Sequence, residues 1–216
     1  MIVRMWMAAD PVTIGPNATL TEAATLMARR HIRRLPVLDD RRHGSHLAGM
    51  LSASDILRAF PRDENPFAAG APKTMRNPVA VAEIMSRELV TTTPETPIEE
   101  AAALMCDSKI GALPVLREQR LIGLITESDI FRAFVSFLAS AEAGIRITFD
   151  LSKREDVFAF IAEAARRRDV RVVSLISSQQ DNQPVCVVRL AGEAVNLLLD
   201  DVWNSGHTVL NVIRFP

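Results

Sequence analysis

The segments Ile32-Arg-Arg-Leu-Pro-Val-Leu38 and Gly49-Met-Leu-Ser-Ala-Ser-Asp-Ile56 decide the fold, because the chain contains them twice. The second copies read Ile110-Gly-Ala-Leu-Pro-Val-Leu116 and Gly123-Leu-Ile-Thr-Glu-Ser-Asp-Ile130. Working outward, Thr19-Leu-Thr-Glu-Ala-Ala24 is echoed by Thr96-Pro-Ile-Glu-Glu-Ala-Ala102, and Pro11-Val-Thr-Ile14 by Leu89-Val-Thr-Thr92. Ordered self-similarity of this kind marks a duplicated supersecondary unit. The copies cover residues 10–57 and 88–131. They differ mainly before the glycine, where the first carries a longer polar turn at residues 39–46.

Each copy has a readable local structure. Thr19 with Glu22, and Thr96 with Glu99, have the spacing of a capping box, and Pro97 suits a first helical position. Ala23, Leu26 and Met27, and likewise Ala101, Leu104 and Met105, then recur at helical spacing. Pro36-Val-Leu and Leu47-Ala-Gly-Met-Leu are short apolar strands around a polar turn, hence a hairpin. A second helix starts at Ser52 or Thr126. One copy is therefore β-α-β-β-α, a unit whose apolar faces need a partner, and two copies packed together supply it. The fold class is α/β (α+β), with residues 1–58 and 81–138 as the two motifs. Residues 59–80, with Pro61, Pro66, Gly70, Pro72 and Pro78, read as the linker between them.

The two sets resemble CBS motifs, and together they resemble a Bateman module. The resemblance rests on the complete order of capped helix with Glu-Ala-Ala, Leu-Pro-Val, and Gly-hydrophobic-x-Ser/Thr-x-Ser-Asp. It implies an adenine nucleotide (AMP, ADP or ATP) whose ribose is held by Ser52 and Asp55, and by Thr126 and Asp129. S-adenosylmethionine and NADH belong to the same open set of ligands. An Asp carboxylate can accept two ribose hydroxyls, and a helix N-terminus favours an anion. The glycine of the motif is expected to let the backbone approach the ligand. Arg33 and Arg34 precede Leu35-Pro36-Val37, where the resemblance implies phosphate contacts, and a guanidinium fork suits phosphate oxygens. The second copy has Gly111 and Ala112 there, with Lys109 upstream, so the two sites are expected to be unequal. Val12, Thr13, Val90 and Thr91 match first-strand positions that flank the adenine. A competing reading needs no ligand: Ser52-x-x-Asp55 and Thr126-x-x-Asp129 also fit helix caps, and the basic run from Arg29 to Arg34 also fits a solvated helix end.

From Ile145 the pattern changes. Ile145-Arg-Ile-Thr-Phe149 alternates as a strand, residues 150–152 supply a turn with a helix cap, and Val157, Phe158, Phe160, Ile161, Ala164 and Ala165 follow at helical spacing. Residues 170–176 and 185–190 read as hairpin strands around the polar turn 179–184. Residues 193–203 are amphipathic, and 209–215 close the chain as a strand. The order βαββαβ over 145–216 is a ferredoxin-like split unit, similar in size to an ACT domain. CBS motifs followed by such a domain resemble the acetoin-utilisation protein AcuB family. Amino-acid-binding ACT domains carry a glycine in the first strand-to-helix loop, and Asp150-Leu-Ser-Lys153 has none. Dimerisation or docking is therefore the expected role, and a homodimer the expected assembly.

Composition narrows the function classes. Apolar residues make up 48% and charged residues 24%, as in soluble globular chains. A net charge of −1, from 25 Lys and Arg against 26 Asp and Glu, argues against nucleic-acid binding, which draws on a basic excess. No apolar run reaches the roughly 18–20 residues of a membrane span, and residues 1–11 lack a secretory signal's apolar stretch; the reading is cytoplasmic. Two cysteines make no disulfide framework or metal set, and Cys106, in a run of helix formers, is expected to be buried. His31, His43, His46 and His207 form no catalytic constellation, so no enzyme activity, required cofactor or metal is expected. The functional expectation is a regulatory sensor with a regulated protein partner; the alternative is an adaptor that binds no nucleotide.

Overall fold

The computed structural model describes residues 1–39, 46–60, 65–67, 78–138, 142–153, 156–180 and 182–216. Most of the extra turn of the first copy, including His43, and Pro61, Gly70 and Pro72 of the linker lie outside the described residues. The chain divides into two compact units, Met1–Ala133 and Phe134–Pro216.

The first unit opens with a 3-10 turn (Val3–Met5) and β1 (Ala8–Ala9). Copy one follows as α1 (Leu20–Arg30), β2 (Arg34–Asp39), β3 (His46–Ser52) and α2 (Ala53–Ala59). After the short α3 (Val81–Ile84), copy two repeats this as α4 (Ile98–Ser108), β4 (Ala112–Arg117), β5 (Arg120–Thr126) and α5 (Glu127–Leu138). Each Leu-Pro-Val strand pairs antiparallel with the strand carrying the glycine. Val37 stands opposite Gly49 and Val115 opposite Gly123, with a register shift just after each. Leu35 and Leu113, at equivalent places, are fully buried.

The copies interlock by exchange. Ala8 of β1, upstream of copy one, pairs with Leu124 of copy two. Ser86, upstream of copy two, pairs with Met50 of copy one. Ile2 bridges Pro97, and Ala80 bridges Thr19. The cores follow the exchange: Val3 packs with Ile98, Leu113 and Ile125, whereas Val81 and Met85 pack with Leu20, Leu35 and Leu51. Neither copy completes its core from its own continuous stretch, which is the physical reason for a tandem pair.

Three local expectations are corrected. Thr19 forms a full capping box with Glu22, but its equivalent in copy two is Pro97, which has no side-chain cap. The Thr96 hydroxyl contacts Thr93 instead, 2.8 Å away, because the extra residue in copy two moves it off the cap position. Cys106 is exposed, not buried, since it lies on the outer side of α4 while Ala101 and Met105 face the core. The motif glycines make room for protein rather than ligand: a Cβ at Gly49 would meet Met85 Sδ at 2.6 Å, and one at Gly123 would meet Met7 Sδ at 2.5 Å.

The second unit runs β6 (Gly144–Asp150), α6 (Val157–Arg168), β7 (Arg171–Gln180), β8 (Gln183–Ala191), α7 (Val195–Asn204) and β9 (Val209–Phe215). This βαββαβ chain forms one antiparallel sheet in the order β7-β8-β6-β9, with Ile147 paired to both Val188 and Val212. Ile161 of α6 and Leu198 of α7 pack with Ile147, Phe149 and Leu190 of the sheet. Arg168 and Asp201 clasp the two helices through two contacts of 2.8 Å. Asp156 caps α6 through the Ala159 N–H, whereas Asp150 is spent on a turn with Ser152, so the helix starts later than its sequence cap suggests. The hairpin strands run longer than expected because pairing continues to Gln180 opposite Gln183. Cys186 is buried in this core, and burial raises its thiol pKa.

Candidate functional site

Two clefts open in the first unit, one beside each helix start. A cleft of about 340 Å³ is lined by Ser52, Asp55 and Arg58 of copy one and by Val90, Lys109, Gly111 and Pro114 of copy two. A second, of about 410 Å³, is lined by Thr126, Ser128 and Arg132 of copy two and by Pro11, Val12, His31 and Arg33 of copy one. Both volumes fall in the range of small-molecule sites, roughly 300–1,000 Å³. Each cleft is composite: one copy supplies the helix start, the other the extended segment before its first helix and the end of that helix.

The register explains the polar edge of each cleft. Arg34 stands directly opposite Ser52, and Ala112 opposite Thr126. Opposed residues of an antiparallel pair share a face of the sheet. The backbone then turns from strand to helix, anchored by the Ala53 N–H donating to the Arg33 carbonyl and the Glu127 N–H to the Gly111 carbonyl. The first helices of both copies end in left-handed residues, His31 at φ 54° and Lys109 at φ 53°, which bring these side chains to the clefts.

The two carboxylates are engaged locally. Asp55 Oδ2 accepts from the Ser52 N–H at 2.9 Å and its hydroxyl at 2.5 Å, and the Asp55 N–H donates back to Ser52 Oγ. Oδ1 of Asp55 takes the Arg58 guanidinium at 2.8 Å. Asp129 repeats this with Thr126, at 2.8 and 2.6 Å, and pairs with Arg132. The copies differ in access: Asp55 lines its cleft, whereas the Asp129 side chain is only 7% exposed and lies outside the lining of the other. Each carboxylate oxygen has two lone pairs, so Asp55 keeps acceptor capacity toward the cleft.

The proposed residues therefore divide. Ser52, Asp55 and Val90 meet in one cleft and Thr126, Val12 and Arg33 in the other; Arg34 lines both. Thr13 and Thr91 line neither of these clefts. Arg58, Arg132, His31 and Pro11 were missed by sequence reasoning. Asp55-Ile-Leu-Arg58 and Asp129-Ile-Phe-Arg132 do repeat in the sequence, and their spacing puts Arg and Asp on one helix face. Arg34 extends across Gly111 to Glu127 of copy two, 3.8 Å away. Burial lowers the pKa of its guanidinium, Glu127 works against this, and Arg33 adds to it. Among the described residues no cluster of three or more His, Cys, Asp or Glu is placed to hold a metal ion. Among them too, no helix is long and apolar enough to cross a membrane.

Each expected first strand is reduced to an isolated bridge, Ile14 to Val37 and Thr92 to Val115, and this interlocked pair of α-β-β-α units is a CBS pair. The CBS-domain family model matches residues 3–62 and 81–136, and the chain belongs to that family. The CBS domain-containing protein YhcV of Bacillus subtilis is 29% identical over 147 residues, 68% of this chain and 92% of that protein. The chain also matches parts of longer proteins of Methanocaldococcus jannaschii. It spans 44% of the uncharacterized protein MJ1225, at 32% identity over 58% of this chain. It spans 23% of L-aspartate semialdehyde sulfurtransferase, at 28% identity over 62% of this chain. Among solved structures, the CBS domain pair of MJ0100 in complex with 5′-methylthioadenosine and S-adenosyl-L-methionine superposes with a TM-score of 0.51. It is 26% identical, covering 62% of this chain and 95% of that one. A putative acetoin utilization protein (AcuB) from Vibrio cholerae gives 0.51 at 29% identity, covering 64% and 93%.

Proposed function

We propose that this protein is a non-catalytic regulatory sensor that binds an adenine nucleotide (AMP, ADP or ATP) in the clefts of its CBS pair. The observation that carries this reading is the Ser52 cleft itself. The apolar Val90, Ile110 and Pro114 suit an adenine face, Asp55 suits ribose hydroxyls, and Arg34, Arg58 and Lys109 suit phosphates. A related pair that holds two adenosine derivatives supports the same ligand class. Binding regulates only if the ligand has different affinities for two states of the protein.

The second unit has the strand order of a ferredoxin-like fold, and we read it as an ACT-type dimerisation or docking domain of a cytoplasmic homodimer. Together with the CBS pair, this is the architecture behind the resemblance to the AcuB family, and on that resemblance we read a regulated protein partner. The complete capping box of Ser52 with Asp55 favours a second reading, an adaptor that binds no nucleotide. Calorimetry and thermal shift with AMP, ADP, ATP, S-adenosylmethionine and NADH separate the two. Saturable binding of one or more of these is expected, and silence toward all five across the millimolar range leaves the adaptor.

A further inference from the structure

Among the described residues, Arg34 is the single one common to both cleft linings. Its reach has a structural cause: a Cβ at Gly111 would collide with the guanidinium, so the missing side chain leaves the path over the second copy open. At the end of that path Glu127 forms an ion pair with it at 3.8 Å, the Arg34 side chain being 26% exposed. The arrangement has no mirror image, because the residues equivalent to Arg34 and Glu127 in the other copies are Ala112 and Ala53. The other arginines facing the clefts through the Asp-x-x-Arg pattern, Arg58 and Arg132, are bound to Asp55 and Asp129 and are 76% and 70% exposed.

We propose that Arg34 is one anion-binding arm serving two clefts, held at rest by Glu127, so that phosphate-bearing ligands bind the pair with negative coupling. A guanidinium committed to a phosphate in the Ser52 cleft is withdrawn from the Thr126 cleft, and the reverse. A ligand without phosphate makes no demand on the arm and fills each cleft independently. This rests on the adenine-nucleotide reading and adds its regulation.

The test compares AMP with adenosine by calorimetry on the full chain. Ser54→Trp and Ser128→Trp, at exposed lining positions of the two clefts, each fill one cleft and give the intrinsic affinity of the other. Adding Arg34→Ala to either is expected to weaken AMP about tenfold, the size of a charge-assisted hydrogen bond. In the intact chain the second AMP then binds about tenfold weaker than its intrinsic value, while adenosine keeps both intrinsic values. Stepwise AMP constants equal to the intrinsic ones, or the same coupling for adenosine, overturn the proposal and leave the nucleotide reading standing. Silence toward AMP, ADP and ATP alike overturns both. Glu127→Gln at the exposed end of the pair avoids the helix caps. It is expected to tighten AMP about threefold, to leave adenosine unchanged, and to have no effect once Arg34 is alanine, in a double-mutant cycle. A Glu127→Gln effect that persists without Arg34 also overturns the shared arm.

Discussion

The two CBS copies share a skeleton and differ at its working edge. Leu35 and Leu113, Val37 and Val115, and Gly49 and Gly123 occupy equivalent places with equivalent burial or contacts. At the helix starts the equivalence ends. Copy one offers Arg33, Arg34 and an accessible Asp55; copy two offers Gly111, Ala112 and an Asp129 covered by its own cap and Arg132. Because the copies exchange segments, this inequality is redistributed. The second copy's helix start faces Arg33, and the first copy's faces Lys109. A duplicated fold thus yields two clefts of different chemistry from one set of backbone rules.

Breaking the shared skeleton gives the largest expected effects. Gly49→Ala and Gly123→Ala press a methyl group against Met85 and Met7, and are each expected to destabilise the chain by about 1–3 kcal/mol. Gly15→Ala has open space and an ordinary φ, so urea denaturation should find it near neutral. Equal stability of all three variants would mean that the exchanged segments do not seat against the hairpins as described.

The helix caps sharpen the comparison at smaller magnitude. Thr19→Ala removes a capping box and is expected to cost about 0.5–2 kcal/mol, whereas Thr96→Ala loses only its exposed contact with Thr93 and costs less. The Thr19 cap also adds acid sensitivity. Hydrogen bonds from the Thr19 N–H and hydroxyl hold the Glu22 pKa below the ordinary 4.5. A depressed folded-state value stabilises the fold above pH 4.5 and loses that contribution as pH falls through the folded value. The stability difference between wild type and Thr19→Ala should therefore narrow in acid, measured by denaturation between neutral and low pH.

What was legible in the sequence follows the range of the interactions. The hairpins, the Ser52 and Thr126 caps and the βαββαβ order depend on neighbours along the chain, and spacing shows them. The clefts depend on the exchange of residues 1–9 and 79–86 between copies, which no local pattern encodes. Spacing along the chain does not say which helix start Arg33 serves, and the fold delivers it to Thr126. The motif glycines were misread for the same reason, since their neighbours Met85 and Met7 come from across the pair. Thr96 failed as a cap because one inserted residue shifts it by a position. Cys106 failed because its helix was placed correctly but its outward side was not.

Asp55 has two roles in this reading, binding a ligand and capping α2. Calorimetric titration of AMP into wild type and Asp55→Asn, a substitution that keeps a capping oxygen, tests it most directly. Wild type is expected to bind, and the variant about tenfold more weakly through loss of a charged acceptor, with little change in thermal midpoint. Equal affinity in the two proteins would contradict it and reduce Asp55 to a helix cap.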